Sequence, residues 1–561
     1  MITAKSNPGP ILRWSALGGL EEVGRNSMFF EYDNEIVVID LGLQFPEEET
    51  PGIDYIIPNT AYLESRKQNI KAVILTHAHY DHIGAIPYII QKIGNPRLIT
   101  TALTKEIINK RQEEMTNAPK LNVEIVKEGD RIQISDSFSA EFFGVTHNIP
   151  DTIGIILDTP VGKIIHPGEF KIDYDDDGKP TNLNIFKKIG QLDVQALLLD
   201  STNAEKLGLS IPEKTVQKNI RELFEKARGR IVVGTFASLL DRLAEIIKTA
   251  EKMNKTVMVS GFSMKTNIQI AQNLGYMKFK KGLIAPIEEI HKYKDEKIVI
   301  LCTGAQGEPN ASLMRIANGE HRHVQVKATD IFIFSSSVIA GNERSVQILK
   351  DNITRQGAKV YTSAMMDIHS SGHATQEEIR QVIKLVKPKF FIPIHGYYFM
   401  RFTNAELAAE TGVKKENIIV ADNGQIVEMT KSAIRITDKT VPASYVLVDG
   451  LGIGDVGEVV LRDRRVLAQE GMVVVITTLD RKTGRIIKNP DIISRGFIYL
   501  KESQPLLDEI RKRIRGVIGR IPRYQPLDVD YLKSLVRDQI GQFLYTRTKR
   551  RPMILPVVIE V

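Results

Sequence analysis

The chain has almost no cysteine. Cys302 is the only one among 561 residues, so no internal disulfide can form. That fits a reducing compartment, and the expected location is the cytoplasm. No stretch reaches the roughly 18 to 20 apolar residues of a membrane span, which argues against a helical membrane protein and a membrane partner. The first residues, MITAKSNPGPILRW, lack the apolar core of a signal peptide. No internal repeat or low-complexity tract stands out, which removes solenoids and disordered scaffolds. Charge of one sign is also scarce: the net charge of +7 permits a polyanionic partner without requiring one. What remains, 42% hydrophobic and 25% charged residues, is the composition of a globular protein. The length implies about two to four domains.

Histidine is where the sequence is informative. The stretch Thr76–His82 reads THAHYDH and packs His77, His79, Asp81 and His82 together. The apolar run 72–75 before it reads as a buried strand, and the segment after it as the start of a helix. Imidazole and carboxylate at this spacing suit zinc or manganese, and four ligands so close can serve two ions.

The same grammar, an apolar strand ending in His, Asp or Glu, recurs along the chain. Ile36–Ile39 ends at Asp40, which taken alone reads equally well as a turn cap. Ala140–Val145 ends at His147, Lys163–Ile165 runs into His166 and Glu169, and Ala196–Leu199 leads to Asp200. One such strand end is ordinary; several suggest convergence on one site. From about Lys206 the texture changes to helices alternating with short apolar runs, as in a second, parallel α/β domain. Two of its strands end in Cys302–Gly307 and Ser335–Ser337, turns able to offer backbone N–H groups to phosphate but weak signals individually. The cluster Asp367–Ala374 (DIHSSGHA) and the strand Lys389–Ile394 ending at His395 then restore the first grammar. The second domain therefore reads as an insertion into the first. The tail is expected to hold strands at Val459–Leu461 and Gly471–Thr478 and a long helix at Leu506–Ile518. Its arginines suit a phosphate backbone or a subunit interface.

Collected, His77, His79, Asp81, His82, His147, Glu169 and His395 match the roughly seven protein ligands two adjacent metals need, and the reaction class is metal-assisted hydrolysis. Paired ions would lower the pKa of a shared water and supply hydroxide for attack on a phosphodiester.

These residues carry a family resemblance. THAHYDH with Asp40, His147 and the acidic residue at 169 resembles the metallo-β-lactamase superfamily. His395, Asp200, the insertion and the HSSGHA and IPIHG motifs resemble its nucleic-acid-processing β-CASP branch. Within that branch the chain resembles the bacterial ribonuclease J family over essentially its whole length, with ILCTGAQGEP, RIANGEHR, FSSS, PDIISRGF and TKRRPM in support. The resemblance implies an α/β architecture: a metallo-β-lactamase αββα sandwich (1–207 and 364–441), an inserted β-CASP domain (208–363) and a small C-terminal α/β domain (446–561). It implies a dimetal ribonuclease, with two zinc ions per subunit or manganese in their place. Such an enzyme degrades single-stranded RNA 5′ to 3′ from a monophosphorylated end, can cut internally, and serves RNA maturation and decay. His77, His79 and His147 would hold one metal, Asp81, His82 and His395 the other, with Glu169 between. Asp40 and Asp200 would orient these ligands. Asp81 and His373 are the expected catalytic residues, His373 protonating the leaving oxygen. Ser335, Ser336, Ser337, His369, Ser371, Gly372 and His373 would contact phosphates. The tail would support homodimers or homotetramers, or pairing with a paralogous ribonuclease J subunit.

The sequence departs from the family pattern at a few positions. Glu169, in HPGEF, stands where aspartate is usual. Tyr397-Tyr398-Phe399 replace Glu-Tyr-Arg after His395-Gly396. Leu239–Arg242 and Gly261–Met264 replace more polar versions. A longer bridging side chain leaves a second expectation open: a weakly active or inactive paralogue acting as a structural subunit. A small-molecule metallohydrolase such as a lactonase is disfavoured, because small substrates need no strand-binding channel.

Overall fold

The computed structural model describes residues 9–46, 50–115, 118–175, 177–339, 341–498, 504–520 and 528–561. Two compact units emerge. One comprises Met1–Phe45 and Ile56–Val446, the other Pro46–Tyr55 and Leu447–Val561.

The first unit is built on two sheets that face each other. One runs, in spatial order, Ile434–Thr440, Gln425–Met429, Leu12–Gly18, Ser27–Tyr32, Glu35–Ile39, Ile70–Ile74, Leu98–Thr100 and Val123–Ile125. The other runs Phe390–Ile394, Val194–Asp200, Gly162–His166, Ile153–Thr159, Ser139–Gly144 and Arg131–Gln133. Trp14, Phe30, Val37 and Ile74 of the first meet Phe142, Ile155, Leu198 and Ile392 of the second in one core. Successive side chains of a strand point to opposite faces. Ile36 and Val38 point away from that core yet are also fully buried, so this sheet is covered on its outer side too. On the far side of the second sheet, Ile165, Leu197 and Phe391 pack against the helices Asn184–Ile189, Gln376–Val386 and Tyr398–Glu410. Two-sided burial explains why these strands read as continuous apolar runs without alternation.

Between Val194–Asp200 and Phe390–Ile394, which pair in parallel, the chain builds a third sheet of its own. Its order is Ile284–Ala285, Thr256–Ser260, Ile298–Cys302, Ile231–Gly234, Ile331–Phe334 and Lys359–Thr362, all parallel. Its core gathers Val232, Ile300, Phe332, Leu313 and Leu349.

The second unit carries the three-stranded sheet Asp491–Arg495, Met472–Leu479, Met553–Glu560, backed by the helices Gln504–Gly519 and Val529–Thr548. Val473, Val475, Ile510, Ile514, Val536 and Ile540 form its core. Residues Met472–Leu479 alternate between buried and half-buried, the mark of a sheet covered on one face. Residues 459–461, expected as a strand, instead open the helix Glu458–Glu470. Three apolar residues do not fix a period. Gly471, in the left-handed region with φ 75°, is where the helix stops. Of residues 104–117, whose sequence pattern reads as helical, those described belong to the helix Ala102–Gln112 and the turn after it, and residues 116 and 117 lie outside the described residues.

Candidate metal centre

The site forms where strands of both facing sheets end. Asp40 follows Glu35–Ile39 and Thr76 lies just past Ile70–Ile74, while His147, Glu169, Asp200 and His395 end or follow strands of the other sheet. Backbone bonds fix the THAHYDH turn. Leu41 and Leu43 donate to the carbonyls of His82 and Tyr80, and Asn26 donates to that of Asp81. Gly42 lies so close that a Cβ there would fall 1.5 Å from the Asp81 carbonyl oxygen. Only glycine fits.

The imidazoles are oriented by their outer nitrogens. His147 Nδ1 donates to the Gly372 carbonyl at 2.8 Å, and His82 Nδ1 to Asp40 Oδ2 at 2.8 Å. His395 Nδ1 lies 2.7 Å from Thr202 Oγ1 and 3.2 Å from Asp200 Oδ1. His77 Nδ1 lies 3.0 Å from Thr76 Oγ1. With the outer nitrogen protonated, each Nε2 turns its lone pair inward, as metal-binding histidines do. His79 faces inward through Nδ1, which lies 3.0 Å from His77 Nε2 and 3.2 Å from His147 Nε2.

Two four-ligand groups result, each with ligand atoms within 4.8 Å of one another, His77, His79, His147 and Glu169, and Asp81, His82, Glu169 and His395; a smaller group, Asp200, His373 and His395, adjoins them. Glu169 belongs to both. Its Oε1 is 2.8 Å from His82 Nε2 and 3.1 Å from His395 Nε2, and its Oε2 is 3.1 Å from His147 Nε2. His373 borders them, with Nδ1 2.7 Å from Asp200 Oδ2 and Nε2 3.9 Å from Glu169 Oε2. It is stacked on His395 with ring centroids 5.7 Å apart.

Electrostatics divides the cluster. Burial, reinforced by neighbouring imidazoles, holds His77 well below its ordinary pKa and His79 at about 3. Burial also works against His82 and His395. There Asp81, Glu169 and Asp40 outweigh it for His82, and Glu169, Asp200 and Asp81 bring His395 to about 10. Burial would raise Glu169, but His395, His82 and His373 hold it well below the carboxylate range. Among the described residues, the ion-pair partners of Asp81, Glu169 and Asp200 are all imidazoles. Buried carboxylates need a cation, and imidazole, unlike Lys or Arg, can give up its proton and leave that role to a metal. The inward-facing nitrogens and the carboxylate between them fit a divalent metal centre.

The turn Asp367–Ala374 closes one side. Ser370 Oγ accepts from the buried Lys171 Nζ at 3.1 Å, and Ser371 Oγ accepts from Asn203 Nδ2 at 2.9 Å. Arg242, buried and bidentate to Glu213, donates to Ser335 Oγ at 2.6 Å. Ser335 is itself fully buried and donates to the Ile368 carbonyl, so its hydroxyl is already committed within the protein. Ser336 lies 3.4 Å from Gln306 Nε2, and the carbonyl of Ser337 accepts from the same amide. His369 is buried beside Arg242 and Lys171; burial first, then those cations, holds it at about 3. Sequence reasoning overlooked Thr76, Thr202, Asn26 and the Lys171–Glu213–Arg242 group. Asn26 Nδ2 reaches both Asp81 Oδ2 at 3.3 Å and His82 Nε2 at 3.1 Å, and no local signal marks it. It also overlooked His166 as a site residue; its ring is buried, close to Asp40 and His82, with burial holding it at about 4.

A sandwich of two facing sheets whose strand ends gather a site fit for divalent metal, interrupted by a parallel α/β domain, is the architecture of a metal-dependent hydrolase, and comparison with known proteins makes this specific. Residues 20–175 match the metallo-β-lactamase superfamily, 228–353 the ribonuclease J β-CASP domain, 357–420 the Zn-dependent metallo-hydrolase RNA specificity domain, and 459–561 the ribonuclease J C-terminal domain. The chain is 38% identical over 544 residues to ribonuclease J 1 of Streptococcus pyogenes serotype M3, covering 97% of each chain. It is 35% identical over 551 residues to ribonuclease J2 of Bacillus subtilis, covering 98% of this chain and 99% of that one. A solved Enterococcus faecalis V583 protein of unknown function shares the fold, with a TM-score of 0.53 at 15% identity over 75% of this chain and 100% of that one. The chain belongs to the ribonuclease J family and is a metal-dependent ribonuclease. Among the described residues, no helix is long and apolar enough to cross a membrane.

Proposed function

We propose that this ribonuclease degrades single-stranded RNA 5′ to 3′ from a monophosphorylated end, cuts internally as a secondary activity, and does so in RNA maturation and decay in the cytoplasm. The observation that carries the reading is Glu169 shared by two four-ligand groups with His373 at their edge. His77, His79 and His147 would hold one ion, Asp81, His82 and His395 the other, and Glu169 would span both. The imidazole-rich first group suits zinc; the second, with more oxygen, accepts zinc or manganese. Bound ions supply an acidified water and positive charge facing a phosphoryl oxygen.

The chain's own residues do the rest. Asp40, Asp200, Thr76 and Thr202 fix the inward-facing nitrogens. Asp81, partly exposed, is placed to orient the attacking water as well as a metal. Burial opposes protonation of His373, but Asp200 and Glu169 raise its pKa, which favours a proton at Nε2 for the leaving oxygen. The 369–373 turn, with Ser336 and Ser337, would cradle phosphates next to that proton. Homodimers or homotetramers, or pairing with a paralogous ribonuclease J subunit, are supported by the open face of the C-terminal sheet, where Ile493, Leu555, Val557 and Ile559 are exposed.

The test is release of mononucleotides from 5′-monophosphorylated RNA by protein loaded with zinc or manganese, beside the same RNA carrying a 5′-triphosphate. Faster processive release from the monophosphate supports the proposal. Equal, purely internal cleavage of both overturns the directionality. No cleavage of either leaves the chain a structural subunit.

A further inference from the structure

The strand Phe390–Ile394 delivers His395 to the metal centre, and the chain turns at once into the helix Tyr398–Glu410. The first two turns of that helix expose Tyr398, Phe399 and Phe402 by 54, 49 and 48%. Three half-open aromatic side chains at one helix end form an apolar patch of the kind that marks a binding surface. Their rings are ordered against one another. Tyr398 and Phe402 lie 6.2 Å apart at 23°, and Phe399 lies 6.1 Å from Tyr397 at 4°. The helix start is held firmly: Arg401, fully buried, donates to the Gly396 carbonyl at 3.1 Å and to that of Ala421, and its guanidinium lies 5.5 Å from the Tyr398 ring centre.

The exposed face changes character farther along, where Glu406 and then Glu410, the latter paired with Arg380, take over. A helix that docks lengthwise on a protein partner carries its apolar stripe through successive turns. Here the stripe stops after two, at the end nearest His395. Tyr397 is only two residues beyond that histidine, at most about 7 Å of chain.

Resting on the ribonuclease reading, we propose that Tyr398, Phe399 and Phe402 are a stacking platform for nucleobases of the single strand whose phosphodiester lies at the metal centre. Flat faces accept any base, so the platform would grip the strand without reading its sequence. Glu406 would repel the phosphate backbone and keep the strand from running along the helix. The resemblance places Glu-Tyr-Arg at 397–399, so Phe399 is the platform residue that sets this chain apart.

The test uses full-length protein with Phe399→Leu and with the triple change Tyr398→Leu, Phe399→Leu, Phe402→Leu. Two probes are compared by fluorescence anisotropy: an unstructured oligouridylate, and an abasic strand with the same phosphates. Hydrolysis of the abasic strand, whose phosphodiesters carry no ring to stack, reports an intact metal centre. The triple variant is expected to bind the oligouridylate about tenfold or more weakly, to bind the abasic strand like the parent, and to keep its phosphodiesterase rate. Undiminished oligouridylate binding overturns the platform; if sedimentation also shows the variant losing self-association, the patch is an interface between copies. If the parent neither binds nor cleaves RNA, the ribonuclease reading itself falls, and the platform with it.

Discussion

His147 donates its Nδ1–H to the carbonyl of Gly372 across 225 residues of chain. This bond aims Nε2 of His147 at the cluster and ties the 369–373 turn to it. A Cβ on residue 372 would fall 2.6 Å from His147 Cε1 and 2.4 Å from Asn148 Nδ2. Gly372→Ala should therefore push the imidazole aside. A displacement of about 1 Å at a reacting centre costs about a hundredfold in rate. Steady-state kinetics should show that loss in kcat, with metal content by elemental analysis falling alongside.

Glu169 reaches both ligand groups from a backbone set for its length. Glu169→Asp keeps the charge but shortens the reach, and Glu169→Gln keeps the length but loses the charge. Metal contacts tolerate only a few tenths of an ångström. Both variants should retain less metal and lose at least roughly tenfold in activity by analogy with lesser changes around metal sites. A gain of activity in Glu169→Asp would mark the glutamate as a degenerate replacement.

Asp200 serves two imidazoles at once, His373 at 2.7 Å and His395 at 3.2 Å. Asp200→Asn should disorder both rings and lower activity roughly 10- to 100-fold. Combined with His373→Ala, the losses should fall short of additive, because both changes strike the same proton-holding pair. A double-mutant cycle on kcat measures this.

Cys302 is buried in the core of the inserted sheet, and burial pushes its thiol up to about 12. At pH 8 the thiolate is then on the order of one part in ten thousand, and alkylation needs the thiolate. Because the thiol's pKa is raised, the ionised fraction grows with pH, yet it stays small below about pH 11. Maleimide labelling at pH 8 should be negligible in the native protein and rapid in urea, as mass spectrometry would show.

Much of the fold was legible because the strands are buried on both faces and each ends in a chemically loud residue. Ile36–Ile39 before Asp40 and Ala196–Leu199 before Asp200 needed no alternation to be read. The return of that grammar at His395 marked the interruption by a second sheet. The segment 459–461 misled because a valine pair opens a helix here. Asn26, Thr76 and Thr202 stayed silent for another reason. Their role is to hold a neighbour's nitrogen, and nothing in a residue's own sequence context announces whom it will face. The committed hydroxyl of Ser335 is likewise visible only once Arg242 is seen beside it.

The cluster draws on two stretches of chain whose partners Asp200 and His395 stand 195 residues apart. During synthesis, His77, His79 and His147 leave the ribosome well before the strand that carries His395. Long-range pairings of this kind are made late in folding. A growing chain therefore spends much of its synthesis without His395, so the group of Asp81, His82 and Glu169 lacks its fourth member and Asp200 lacks both of its imidazole partners. The metal centre of an RNA-cleaving protein built this way is complete only once residue 395 of 561 has been made.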